Sequence, residues 1–210
     1  MNSIGNLGQT VLDFHTRGGR RSGAGRKHSK TSGMPHLQRA ELAARHPVHV
    51  TLRVAKGCWN LRSFRALRAL EPAFNAGRER FGFRLAHYSV QGNHLNLMVE
   101  AEGKESLARG MKGLEVRLAR AVNRIMRRTG RVFGDRYHAH VLKTPREAAR
   151  ALRYVLMNFG HHARAWGEKI SATFIDPFSS VRYLATSPGP AAPVAGPQTW
   201  LLRVGCHGSG

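Results

Sequence analysis

Apolar and polar residues alternate over residues 48–54 (VHVTLRV), which puts Val48, Val50, Leu52 and Val54 on one face of an extended chain. That period of two is the mark of a half-buried strand. The spacing then changes. Leu61, Phe64, Leu67, Leu70 and Phe74 form an apolar stripe that predicts a helix over 60–81, kinked or restarted at Pro72, which has no amide hydrogen to give. Two strands are expected next, over 83–90 and 94–101, joined by the turn-forming Gln91-Gly92-Asn93 as a hairpin. Leu107, Met111, Leu114, Leu118, Val122 and Ile125 return to helical spacing and predict a long amphipathic helix. A further strand is expected around His138–Val141. The last helix opens with Thr144 as cap, Pro145 in its first position and Glu147 completing a capping box, and runs to about His161.

Strand, helix, strand, strand, helix, strand and a final helix is the split βαβ order of a ferredoxin-like α+β domain. It implies a four-stranded antiparallel sheet with helices packed on one face and the other face, or an edge, left for a ligand. This domain is expected over residues 34–183. Residues 1–33 carry the basic run RGGRRSGAGRKHSK, with Arg20, Arg21, Arg26 and Lys27, and too little apolar surface to fold. They read as a disordered, phosphate-contacting arm. Residues 184–210 read as a Pro/Gly-rich linker (SPGPAAPVAGP) and a short tail, whose apolar 200–204 stretch could dock back on the domain.

Charge narrows the partner. The chain holds 34 Lys+Arg against 12 Asp+Glu, a net charge of +22 and a pI near 11.6. Such an excess suits a polyphosphate, where each neutralised phosphate releases counterions. No apolar run is long enough for a membrane span, and no secretory signal opens the chain, so a cytoplasmic protein without a membrane partner is expected. Cys58 and Cys206 make no disulfide framework and no paired metal spacing. No Walker-type loop is present, so no nucleotide cofactor is expected. The long helix sets Arg109, Lys112, Arg117, Arg120, Arg124, Arg127 and Arg128 opposite its apolar stripe, with Glu105 and Glu115 in partial offset. A face of one sign suggests a cradle for a DNA backbone.

Two places carry candidate chemistry. In the strand QGNHLNLMVE, His94 and Asn96 point to one face while Leu95 and Leu97 point to the other. Polar groups on such a strand need partners, and a divalent metal would satisfy both, through an imidazole nitrogen and a carboxamide oxygen. In the final helix, Tyr154 and Asn158 are one turn apart on a shared face. A tyrosine beside a metal-bound phosphate can act as a nucleophile, and the amide can complete the coordination. His138 and His140 show the same alternate spacing next to Tyr137 and read as a phosphate-contacting or surface pair.

Together these runs resemble one family. QGNHLNLMVE is similar to the His-hydrophobic-His strand of the HUH single-tyrosine transposases, and RYVLMN to the Tyr-x-x-x-Asn/Gln helix that supplies their nucleophile and third ligand. The resemblance is greatest to the REP-associated tyrosine transposases and the transposase-like proteins near them in bacterial genomes. It covers about residues 47–162, and GRRSGAGRK and DPFSS (176–180) also look like family segments. It implies an HUH-type fold, His94 and Asn158 as ligands of Mg²⁺ or Mn²⁺, and Tyr154 as the nucleophile. Asn96 stands where the family has its second His. The resemblance further implies cleavage of single-stranded DNA near a hairpin, leaving a 5′-phosphotyrosine link and a free 3′-hydroxyl, by a monomer or homodimer. Arg136, His138 and His140 would lie near the DNA, and Arg153 with the 109–128 helix would stabilise charge on the phosphate. Asn96 also leaves open a second outcome, a DNA- or hairpin-binding protein of the same fold with weakened or lost catalysis. An RNA-binding module would instead want exposed aromatics where the strand presents His94 and Asn96.

Overall fold

In the computed structural model, residues 41–165, 171, 174–184 and 188–206 are described, and the basic arm with Arg20, Arg21, Arg26 and Lys27 lies outside the described residues. The alternating segment forms β1 (Val48–Arg53). Helix α1 (Phe64–Gly77) starts later than its apolar stripe suggests, because Ser63 takes the cap and accepts a hydrogen bond from the Ala66 amide at 3.2 Å. Just ahead, Asn60 Oδ1 accepts from the Arg62 amide at 2.8 Å and holds the chain in a turn. The helix runs through Pro72. It ends early as well: β2 (Glu79–Arg80) and β3 (Phe83–Val90) form a tight hairpin through Phe81 and Gly82, both with positive φ (56° and 69°). β4 (His94–Ala101), α2 (Lys104–Met126), β5 (His138–Val141) and α3 (Pro145–Ala165) follow in the expected order. The capping box forms: Thr144 Oγ1 accepts from the Glu147 amide, and Glu147 accepts from the Thr144 amide.

The sheet order is β2-β3-β4-β1-β5, antiparallel throughout. Its four longer strands are the expected split βαβ, and β2 is a two-residue addition at the edge. Val48, Val50, Leu52, Leu95, Leu97 and Val99 bury one face against Leu67, Leu70 and Phe74 of α1 and Met111, Leu114 and Leu118 of α2. α3 does not join them. Its Ala148, Leu152, Val155 and Leu156 pack with Ala86 and Met98 in a second core on the opposite face. The face expected to stay open is therefore roofed by α3.

The domain also continues past residue 183. Val194 enters the first core, and the Ala195 amide donates to Leu85 O at 2.9 Å. The buried Glu100 carboxylate accepts from the amides of Gln198 and Thr199 and from the Thr199 hydroxyl. These bonds lead into one wide helical turn, Leu201–Gly205, which packs on α3 as the apolar 200–204 stretch suggests. The prolines read as a linker instead hold an edge strap that backbone and carboxylate bonds fix in place.

Gly110 sets how closely α2 approaches the sheet. A Cβ built there would stand 2.1 Å from Cγ of Phe83. Gly110→Ala is expected to destabilise the fold by about 1–3 kcal/mol, the usual cost of overpacking, read as a lower urea midpoint. An unchanged midpoint would mean that α2 can retreat freely.

Candidate functional site

Directly opposed residues of antiparallel strands project to the same side of the sheet. Thr51 opposes Asn96, Arg53 opposes His94 and His49 opposes Met98 between β1 and β4. Between β1 and β5, His49 opposes His140 and Thr51 opposes His138. His94 and Asn96 thus share the α3 face with His138, His140 and a further histidine, His49. α3 then brings Tyr154 onto this face. The Tyr154 ring meets the His49 ring edge-on, with centroids 5.7 Å apart and planes at 75°. Tyr154 remains 44% exposed, so its hydroxyl can be reached from solvent.

Asn96 is buried, and its Oδ1 accepts a hydrogen bond from the Thr51 hydroxyl at 3.1 Å. Its Nδ2 and the Nε2 of His49 are buried without a hydrogen-bond partner. Folded proteins leave few such atoms. Burial pushes the His49 imidazole down to about 4; an opposing pull from nearby Asn96 does not offset this, and His140, His138 and His94 lower it further. No well-formed bond closes between His49 and Asn96, so the neutral ring rests on its burial. His94 stands half-buried at the start of β4, with Nδ1 2.8 Å from Asn93 Oδ1. Asn158 lies on α3 one turn beyond Tyr154, and its side chain is outside the described residues.

Among the described residues no group of three or more His, Cys, Asp or Glu is placed to hold a metal ion. The face offers imidazoles and one carboxamide instead. Those suit a divalent cation, and the orphaned nitrogen of His49 is the kind of atom that such a cation would satisfy.

The basic residues divide between the two sides of the sheet. Arg109, Lys112, Arg120 and Arg124 are exposed on α2 and Arg127 at its C-terminal cap, while Arg117 is half-buried and bonded to Gly113 O of its own helix at 2.7 Å. The Arg128 guanidinium donates to Arg131 O at 3.1 Å and contacts Cys58. Because α2 packs on the face opposite α3, the sheet separates this stripe from Tyr154. The stripe is open to solvent on the side of the sheet away from Tyr154. Arg153 is exposed and directly precedes Tyr154 on α3, and the exposed His138 and His140 lie on the α3 side of the sheet. Arg136 is half-buried just before β5.

Two other tyrosines are poorly suited to attack. Tyr88 is fully buried, stacks on Phe74 at 4.5 Å and donates to Glu71 at 3.0 Å; burial and that carboxylate hold its phenol well above the usual range. The Tyr137 hydroxyl is buried.

The DPFSS segment has a positioning role. Asp176 pairs with Arg62 at both carboxylate oxygens (2.7 and 3.1 Å), and Arg62 also donates to Val90 O. The guanidinium lies over the rings of Phe159, on α3, at 3.6 Å and Phe178 at 4.6 Å. Ser180 Oγ accepts from the Tyr88 amide, and the Val90 amide donates to Phe178 O. The segment seals the outer edge of β3 and, through Phe159, fixes the helix that carries Tyr154.

No protein family's sequence profile and no curated protein matches the chain. Among solved structures, the chain is similar to a REP-associated tyrosine transposase bound to a REP hairpin: TM-score 0.53 at 12% identity, over 71% of this chain and 84% of that one. A Deinococcus radiodurans R1 chain assigned as a transposase aligns with TM-score 0.40 at 12% identity, over 66% of this chain and 100% of that one, too low a score to carry weight. The first likeness establishes the fold alone: an α+β domain with a five-stranded antiparallel sheet, shared with that chain. No described helix is long and apolar enough to cross a membrane.

Proposed function

We propose that this chain is a DNA-binding, transposase-like protein that cleaves and rejoins single-stranded DNA beside a hairpin through a phosphotyrosine at Tyr154. The observation that carries the reading is the position of Tyr154 over the His49–Asn96 face of a sheet with the tyrosine-transposase fold. The solved relative's REP hairpin and the +22 charge of this chain support a DNA partner.

The phenolic oxygen of Tyr154 attacks phosphorus, and the bond from phosphorus to the 3′-oxygen breaks. The phenol proton ends on that oxygen, which leaves a 5′-phosphotyrosine and a free 3′-hydroxyl. Reversal rejoins the strand without a nucleotide cofactor, because the covalent link conserves the bond energy. For the phenolic oxygen to attack, its proton must be drawn off by the polar face below. Arg153 supplies positive charge beside the reacting phosphate. His94, Asn96 and Asn158 would hold Mg²⁺ or Mn²⁺, whose chemistry is charge neutralisation at the phosphate oxygens.

One observation favours a second reading, hairpin binding without cleavage. Asn96 replaces an imidazole, is buried, and already gives its oxygen to Thr51. Incubating labelled single-stranded hairpin DNA with the protein and Mn²⁺, then running a denaturing gel, separates the two. A slow, protein-linked band supports cleavage; its absence across hairpins and metals leaves binding alone.

Both readings share an expectation about affinity. Hairpin binding should weaken steeply with salt, the logarithm of K falling by about 0.7 per phosphate contacted for each log unit of salt, and duplex should bind more weakly than hairpin. Fluorescence anisotropy over a salt series reads this, and a flat plot would contradict it.

A further inference from the structure

We propose that His49 is a donor of the same site: from β1 its Nε2 supplies the second imidazole that Asn96 does not provide on β4, for a divalent cation held between these two residues. The inference rests on the metal-assisted reading above. Register brings the pair together, since Asn96 opposes Thr51 and His49 is the next residue of β1 on that face. Diagonal neighbours of this kind are within reach of long side chains. Valence points the same way. Nε2 of His49 is buried with no hydrogen-bond partner. The Asn96 oxygen is turned toward β1, where Thr51 uses one of its two lone pairs. A nitrogen and an oxygen donor thus face the same strand interface, and a cation there would relieve the unpaired nitrogen. The Tyr154 ring lies against His49, so this donor pair and the nucleophile belong to one pocket.

The test is Mn²⁺ titration of the full chain, with the free ion followed by electron paramagnetic resonance. His49→Phe keeps a ring against Tyr154 and removes both nitrogens. Its Mn²⁺ affinity is expected to fall at least about ten-fold, with the metal-free melting temperature unchanged or raised. His46→Gln, in the turn before β1, controls for loss of any histidine and should bind as wild type. Asn96→His should bind more tightly. Wild-type affinity in His49→Phe overturns the proposal and leaves the metal-assisted reading intact, whereas a wild type that binds no Mn²⁺ overturns both. Should His49→Phe fail to fold, His49→Leu is titrated with Mn²⁺ in its place. There too, an affinity loss of about ten-fold or more supports the proposal, and wild-type affinity overturns it.

Discussion

Tyr154→Phe is expected to remove the covalent protein–DNA adduct while leaving hairpin affinity within about two-fold of wild type. Only the hydroxyl is lost; the ring, and with it the edge-on contact to His49, is kept. Tyr154 is 44% exposed, so losing a solvent-reachable hydroxyl should change stability by no more than about 0.5 kcal/mol. Deleting a nucleophile removes the covalent route outright, so the adduct yield should fall on the order of a thousand-fold or more. A denaturing gel and an anisotropy titration read the two effects separately. Loss of both together would place Tyr154 in the binding surface rather than in the chemistry.

The largest effect on stability is expected at Asp176. Its alanine variant leaves the Arg62 guanidinium, with 12% of its side chain exposed, without a counter-charge between two aromatic rings. Removing one partner of a buried pair costs about 3–5 kcal/mol, whereas replacing both by apolar residues of similar volume can be close to neutral. Asp176→Ala should therefore lose several times more stability in urea than the paired Arg62→Met/Asp176→Leu protein. Equal losses would show that packing, not charge, is what the clamp provides. Because Arg62 also grips Phe159 on α3, the single variant should lower adduct formation as well.

The order of elements was legible because each long segment repeats its apolar residues with one period. β2 was not, since two residues carry no period and their hairpin depends on the positive φ of Phe81 and Gly82. Periodicity also reports that α3 has an apolar face without saying which side of the sheet it covers. The hint lay in β4, where Met98 sits on the nominally polar face: a strand apolar on both sides is covered on both sides. Strand alternation hides His49 for a related reason. Reading VHVTLRV for its core residues discards the alternate ones as solvent-facing, and only the pairing with β4 and β5 gathers His49 with Asn96, His138 and His140. The reach of the α2 arginines toward the nucleophile is implied by the resemblance, and neither it nor the one-signed helix face reveals the sheet that lies between them. DPFSS stood out as a motif, but its partner Arg62 is more than a hundred residues away in sequence, too far for local pattern to pair them.

Tyr154, if it is the nucleophile, must carry the DNA after cleavage. The most direct test is to trap the adduct on a labelled hairpin single strand with Mn²⁺, digest it with nuclease and trypsin, and locate the residual phosphonucleotide by mass spectrometry. The added mass is expected on Tyr154, in the peptide that begins after Arg153. Added mass on Tyr137 or Tyr88, or no covalent adduct with any hairpin and metal tried, would contradict it.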